Sequence, residues 1–358
     1  MSEKGIAKLR IEIDALDAQL LALLNRRAAA VRKVGGLKDG KRVYRPERES
    51  EILRRVAGAK GGAMPAASVN AVFREIISAC RALEQEIRVS YLGPQGTFSE
   101  QAVRQHFGHA VVAEPATSID EAFRSAESGA TQFAVAPVEN STDGVVGRTL
   151  DLLLTTPLRI CGEIELRVRQ NLLSRAPGLA AVKRVYSHAQ SLAQCNGWLN
   201  QKLPSAERIQ VSSNAEAARR ASKEKGSAAI AGEAAAALYR LKVLGNGIED
   251  DPNNTTRFLV LGQIDPGATG RDRTSLVMSA ENKPGAVHAL LSPIAANGVS
   301  MSRIESRPAK ARSARWEYVF FIDLEGHQSD AGVAAAIGEL KARAPFFRIL
   351  GSYPIASN

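Results

Sequence analysis

Residues Arg88–Glu100 read RVSYLGPQGTFSE. A strand-like run, Arg88 to Leu92, meets a glycine-rich turn, and a helix opens on Phe98 and Ser99. A strand passing straight into a helix is the building step of an α/β layer. Turns of this shape often aim backbone N–H groups at an anion. The stretch fails as a nucleotide motif. It lacks the Gly-Lys-Ser/Thr ending of a phosphate loop, and Gly93 with Gly96 do not make G-x-G-x-x-G. On its own residues it is either another kind of anion site or a plain strand-to-helix turn.

Downstream, to about residue 264, short apolar runs alternate with helical stretches. VVAE, FAVAPVENS, ICGEIELRV, VKRVYSH, RIQVSS, AAIAG and RFLVLG read as strands. The stretches after Ser99, Ser118, Gly147, Ser187, Ser213 and Gly232 read as helices. Such alternation predicts α/β, with ligands at polar strand ends. Three clusters sit at such ends: Glu139, Asn140 and Ser141; Ser187, His188, Gln190 and Gln194; Thr255, Thr256 and Arg257. Each taken singly is more often a cap or turn than a site. A hydrolase triad does not fit. There is no G-x-S-x-G elbow, and the adjacent Ser187 and His188 point apart on a strand.

Upstream, residues 8–38 form one long helical pattern with Leu9, Ile13, Leu16, Leu20, Leu24, Val31 and Val34 in steps of three and four. Such a helix spans roughly 45 Å. The rest of the first 88 residues cannot cover it, so a partner chain is expected. A second helix opens at Pro46 and a third covers about 67–87. Arg27, Lys38, Arg48 and Glu84 fall on or beside the apolar stripes. One such charge would be read as a structural ion pair or a snorkelling side chain. Four on converging helices point to a bound anion, because buried charge needs a partner.

Beyond a Gly/Pro-rich linker, GQIDPGATGRDR, the order is strand, helix (Pro284–Ala296), two strands, helix (Asp330–Lys341), strand. That is the ferredoxin-like β-α-β-β-α-β plan, which by itself implies no activity.

Composition narrows the classes. The 358 residues are 45% hydrophobic, ordinary for a globular chain, and no apolar run suggests a membrane span. The start, MSEKGIAKLRIEID, lacks a signal-peptide block. Cys80, Cys161 and Cys195 are odd in number and widely spaced, as reduced cytoplasmic thiols are. No zinc-like pattern occurs, and neither metal nor cofactor is expected. Of the net charge of +10, the first 88 residues carry 18 Lys+Arg against 11 Asp+Glu. Aromatics for base stacking are sparse there, so an anionic small molecule is favoured over nucleic acid.

Three resemblances follow from these motifs. LRIEIDALDAQLLALLNRRAAAVRKVGGLK, RPERESEIL and REIISACRALEQ resemble the all-helical chorismate mutases over nearly all of residues 5–87. That resemblance implies an intertwined homodimer or higher homo-oligomer, with an active site inside each helical bundle. By it, Arg27 and Arg10, the latter from the other protomer, would hold the two carboxylates of chorismate. Lys38 and Glu84 would face the ether oxygen as the catalytic pair. Arg48 and Glu49 would complete the pocket. The rearrangement to prephenate needs a compact conformer and cations at the breaking ether bond, which orientation and preorganised charge supply. Glu84 has to carry its proton to donate there.

YLGPQGTFSE, PVENS, YSHAQS and TTRF, in that order, resemble prephenate dehydratase from about Val89 to Ile264. The family's fold is similar to type-2 periplasmic binding proteins, two α/β lobes about a cleft. Its reaction turns prephenate into phenylpyruvate with loss of carbon dioxide and water, and needs a donor at the departing hydroxyl. The resemblance gives that role to Thr256, with Glu139 as the other candidate. Thr97, Ser99, Asn140, Ser141, Ser187, Gln190, Gln194 and Arg257 would position substrate, Arg257 at a carboxylate.

NKPGAV and ESRP resemble the ACT domain of these dehydratases, which binds phenylalanine between paired domains. By it, Asn282, Gly285, Ala286, Val287, Glu305, Ser306 and Arg307 lie at or near an effector site. Deletion of 271–358 is expected to abolish any phenylalanine effect. Together the motifs resemble the bifunctional chorismate mutase–prephenate dehydratase family. Its domains would here span 1–87, 88–265 and 272–358, in a cytoplasmic enzyme of phenylalanine biosynthesis. Arogenate is the rival substrate. A non-catalytic amino-acid sensor is the rival class, and the intact Thr256 and mutase residues speak against it.

Overall fold

The computed structural model describes residues 3–37, 43–59, 62–281, 283–308 and 318–356. Two compact units emerge, residues 1–87 with 107–112, and residues 88–106 with 113–358.

The first unit holds α1 (Glu3–Gly36), α2 (Pro46–Ala57) and α3 (Ala66–Ala82). None of α1 is buried, and Leu9, Ile13, Leu16 and Leu20 are all more than half exposed. Helix α2 starts on Pro46, whose missing N–H costs nothing in a first turn, and packs mainly on α3. The small core includes Tyr44, Leu53, Ile77, Cys80 and Phe107. Arg81 is only 4% exposed. It lies 5.3 Å from the Tyr44 ring centroid and 5.5 Å from that of Phe107, two rings in mutual contact at 5.1 Å, a favourable cation–π arrangement. It donates to Glu49 and to the Phe107 carbonyl, each at 2.6 Å. Helix α3 ends at Ala82 rather than near residue 87. The N–H groups of Glu84 and Gln85 both close on the Arg81 carbonyl, because the chain must extend to begin a strand at Arg88. Glu84 therefore lies past the helix end, not on its face.

The second unit begins with a lobe of β1 (Arg88–Leu92), α4 (Phe98–Phe107), β2 (Val112–Ala116), α5 (Ile119–Glu127), β3 (Phe133–Asn140), β4 (Gly144–Val145), α6 (Gly147–Leu153) and β5 (Arg159–Arg167). The next lobe is β6 (Asn171–Ser174), β7 (Arg184–Ser187), α7 (Ala189–Gln194), α8 (Asn196–Lys202), β8 (Glu207–Gln210), α9 (Asn214–Ala221), β9 (Ser227–Ala231), α10 (Glu233–Tyr239) and β10 (Lys242–Gly245). The chain then returns as β11 (Thr255–Gly262). The first sheet runs β2-β1-β3-β11-β5 and the second β10-β6-β9-β7-β8. Two segments, 168–170 and 246–254, thus cross between lobes. This is the two-lobed arrangement of the type-2 periplasmic binding proteins. Ser118 and Ser213 cap α5 and α9 by accepting from Glu121 N and Glu216 N.

The third part comprises β12 (Asp272–Ser279), α11 (Ala286–Ala296), β13 (Met301–Pro308), β14 (Tyr318–Glu325), α12 (Ala331–Arg343) and β15 (Phe347–Pro354). Its antiparallel sheet runs β13-β14-β12-β15, the expected α+β ferredoxin-like plan. One face packs under its helices through Leu276, Met278, Leu290, Ile294, Ile322 and Leu340. The other face joins the core of the first lobe. Val277, Phe321, Leu350 and Tyr353 cluster with Val138, Leu150, Ile160 and Leu259. Gly351 lies so close to the Ile160 carbonyl that a Cβ there would collide with it. The domain is fused to the lobe by a shared core, not hung on its linker.

Candidate active site

A cleft of about 480 Å³ opens in the two-lobed body, within the usual range for small-molecule sites. Its walls include Thr97, Ser99, Asn140 and Thr256 from the first lobe's elements, and Gln190 and Gln194 from the second. These six sequence-predicted residues therefore come together. Among the described lining residues none is Lys or Arg, and the one carboxylate is Glu216. Hydrogen bonding from Arg219 and then Arg220 holds that carboxyl down at about 2. An anion here would be met by neutral donors and by the starts of α4 and α9, which favour negative charge.

Thr256 is held by one neighbour. In the β3–β11 register it stands opposite Asn140. The Asn140 amide oxygen accepts from the N–H groups of Thr142 (3.0 Å) and Asp143 (3.1 Å). Its nitrogen therefore faces the other way and donates to Asn254 Oδ1 at 2.7 Å and Thr256 Oγ1 at 2.8 Å. Thr256 is an acceptor in that bond, so its own proton is available to the cleft. A bond accepted from the amide also makes the hydroxyl a better donor.

On the second lobe, Gln194 donates to Asp143 Oδ2 at 2.9 Å, and Gln190 bonds the same oxygen. Asp143 belongs to the first lobe, so this carboxylate ties the lobes across the cleft. Ser187 does not line the cleft. It is buried and donates to Asn214 Oδ1 and the Ile230 carbonyl, fixing the start of α9. Ser141 also stays outside the cleft, exchanging bonds with Thr255.

Glu139 and Arg257 are not in the cleft. Adjacent strand residues face opposite ways, so Asn140 and Thr256 take the cleft side, and Glu139 and Arg257 take the side covered by the third domain. Glu139 accepts from Arg303 of β13 at 2.8 Å. Arg257 donates to Glu163 at 2.9 Å, to Asp323 at 2.6 Å and to the Tyr353 hydroxyl at 3.0 Å.

In the opening loop, much of the hydrogen bonding is internal. Gly96 N–H donates to Glu100 Oε2 at 2.7 Å, and Thr97 Oγ1 donates to the Leu92 carbonyl at 3.2 Å. Gly96 has φ +88°, a backbone conformation that favours glycine. The stretch forms a wall of the cleft with Leu92, Gly93, Pro94 and Ser99.

The helical unit has its own cavity of about 400 Å³, lined by Arg32, Gly35, Gly36, Val43, Leu83, Glu84 and Gln85. Glu84 sits against Gly35, its Cγ 3.1 Å from where a Cβ would be. Arg27 Nη1 is buried without a hydrogen-bond partner. Arg10 lies on the exposed length of α1. Arg48 pairs with Glu51 at 2.6 Å on the surface, and Glu49 is committed to Arg81. Burial raises the Glu49 carboxyl while Arg81 opposes that rise. Lys38 lies outside the described residues.

In the third domain Gly285, φ +76°, caps the start of α11, with Ala286 and Val287 as its first helical residues. Glu305, Ser306 and Arg307 lie on β13. Arg307 reaches Asp151 of the first lobe at 3.4 Å. Asn282 lies outside the described residues. Sequence reasoning missed Asp143, Gln170, Asn214 and Asn254 in and around the cleft, and Arg81 and Arg303 elsewhere. The paired Asn253–Asn254 ahead of TTRF was the one signal available for any of them.

Fold and site thus define a two-lobed α/β body with a cleft lined mainly by neutral hydrogen-bonding side chains, with an α+β domain and a helical unit. Family models match in the same order: chorismate mutase type II over residues 9–85, prephenate dehydratase over 89–266, and ACT domain over 274–342. The chain is 51% identical over 350 residues to the bifunctional chorismate mutase/prephenate dehydratase of Neisseria gonorrhoeae, covering 97% of this chain and 96% of that one. The namesake from Stutzerimonas stutzeri is 46% identical, covering 99% of this chain and all of that one. Among solved structures, the prephenate dehydratase of Arthrobacter aurescens in complex with L-Phe is 36% identical. It superposes with a TM-score of 0.70 over 75% of this chain and 90% of that one. The chain belongs to the bifunctional chorismate mutase/prephenate dehydratases, an isomerase and a lyase in one chain with an ACT regulatory domain. Among the described residues no helix is long and apolar enough to cross a membrane, and no cluster of His, Cys, Asp and Glu could hold a metal.

Proposed function

We propose that the cleft dehydrates prephenate with Thr256 as the donor, fed by chorismate rearrangement in the helical unit and restrained by phenylalanine at the ACT domain. The carrying observation is the Asn140 amide that donates to Thr256 Oγ1 beside the cleft and so leaves the hydroxyl's own proton free to be donated. As the ring carboxylate departs as carbon dioxide, its bonding electrons enter the ring and the C4–oxygen bond breaks. Thr256 donates a hydrogen bond to the departing oxygen, which leaves as hydroxide and takes its proton from solvent to become water, the threonine keeping its own. Aromatisation drives the step. The substrate's carboxylates would be met by Ser99, Gln190 and Gln194. Following chorismate consumption and phenylpyruvate appearance, with and without L-phenylalanine, tests the whole reading. Absence of either turnover in the full chain overturns it.

In the helical unit, the unpartnered Arg27 Nη1 suits a chorismate carboxylate, and the exposed apolar length of α1 suits a second copy that would supply Arg10. The working chain is a homodimer or larger homo-oligomer in the cytoplasm, with domains at 1–87, 88–265 and 272–358. Glu84 faces the ether oxygen as a hydrogen-bond donor, so Glu84→Ala should cut the mutase rate, while Glu84→Gln, a permanent donor, should keep most of it. A Glu84→Ala rate equal to the native one would remove Glu84 from this role.

Phenylalanine inhibition is best tested in the full chain. Deleting 271–358 would strip Tyr353, Phe321 and Leu350 from the first lobe's core and destabilise the very domain being assayed. Gly285→Val places a β-branched residue at φ +76°, where it is strained. The ratio of uninhibited to phenylalanine-inhibited turnover should fall towards one. An unchanged ratio would move the effector elsewhere.

A further inference from the structure

We infer that Gln170 binds the hydroxyl group that the substrate loses, opposite the proton of Thr256. Gln170 lies on the first crossing between lobes, is 1% exposed and lines the cleft. Its backbone is fixed to the second crossing: its N–H donates to Glu249 Oε2 at 2.8 Å and its carbonyl accepts from Ile248 N–H at 2.8 Å. The two crossings run side by side here, since Val168 N–H bonds the Asn254 carbonyl at 2.8 Å, close to Thr256.

The orientation of its amide follows from a chain of neighbours. The Asp143 carboxylate only accepts, so Gln194 must turn its nitrogen to it, at 2.9 Å. Gln194 then presents its oxygen to Gln170, whose nitrogen donates there at 3.4 Å and to Ser191 Oγ at 2.9 Å. The Gln170 oxygen is left pointing away from both. It is buried and has no partner. A buried orphan acceptor is costly, and one in a binding cleft awaits a donor.

The chemistry of the substrate selects that donor. Prephenate carries two carboxylates, a ketone and one hydroxyl, and at neutral pH only the hydroxyl can donate. The Gln170 oxygen would therefore fix the hydroxyl's hydrogen, turning the oxygen's lone pairs towards Thr256. No bond is made or broken at Gln170, whose part is to orient the leaving group and to prefer substrates that have one. The inference rests on the reading of the cleft as the dehydratase site.

The test compares the full chain with Gln170→Met on two ligands: turnover of prephenate, and competitive inhibition by an analogue of prephenate lacking the C4 hydroxyl. The variant is expected to lose about tenfold or more in kcat/KM for prephenate, as sites built to hydrogen-bond a hydroxyl do when that bond is lost. The inhibition constant of the deoxy analogue should stay within about twofold, which also shows that the cleft is folded. Gln170→His keeps one acceptor and one donor and should recover most of the loss. Equal weakening on both ligands would make Gln170 structural and overturn the inference, as would no change on either. A native chain without prephenate turnover would overturn the reading of the cleft itself, before any variant is compared.

Discussion

Thr256→Val should cut prephenate dehydration by about 10²- to 10⁴-fold, the range supplied by a positioned proton donor, while chorismate is still rearranged. Valine has nearly the shape of threonine, so the strand pairing of β11 with β3 and β5 should persist. What disappears is the hydroxyl that accepts from Asn140 at 2.8 Å and keeps its own proton free to be donated. Asn140 keeps its bonds to Asn254, Thr142 and Asp143, so the loss of one polar partner costs about 1–3 kcal/mol of stability at most. The loss should therefore appear mainly in kcat. Side-by-side rates for the two reactions and a thermal melt check this. Dehydratase turnover surviving at a tenth or more of the native rate would take the donor role from Thr256.

That expectation was half legible in the sequence. Apolar alternation located β1, β3, β5, β7, β9 and β11, and the turn residues located most helices, because each signal is local. The motif resemblances brought Asn140, Thr256, Gln190 and Gln194 to one cleft. The facing of side chains was less well read, although period-two geometry already forbids Glu139 and Asn140, or Thr256 and Arg257, from sharing a side. What covers the other side was not legible. The partners of Arg257 include Asp323 and Tyr353, at the far end of the chain, and no periodicity links them. Gln170 was hidden for a different reason. It lies just past the ICGEIELRV strand, outside every quoted motif, and its place depends on an amide chain running through Gln194 to Asp143. The end of α3 was misplaced because its apolar stripe continues past Ala82, while the start of β1 forces the chain to extend.

Arg257→Met is expected to lower stability by about 3–5 kcal/mol, the usual cost of breaking a buried ion pair from one side. Arg257 and Glu163 have side chains 13% and 0% exposed, and Asp323 is 5% exposed. Two arginines, Arg257 and Arg273, face these two carboxylates, so the buried charges balance. Without Arg257 one negative charge stays behind, in a place too enclosed for water to compensate. Ser275 still donates to Asp323 at 2.5 Å and Arg273 still holds Glu163, but neither restores neutrality. At roughly 2–4 °C per kcal/mol for a body of this size, the melting temperature should fall by about 10 °C. Arg257→Lys keeps the charge but not the three-way fork, and should fall between the two. The contrast with a substrate-binding arginine is sharp. If Arg257 held a carboxylate of prephenate, the methionine variant would melt near the native temperature and show its defect as a raised KM. Thermal melts and dehydratase kinetics on the same samples separate the two outcomes. The network also gives the ACT domain a direct hold on β11, because Arg257 is the next residue after Thr256 on that strand and Asp323 lies on β14.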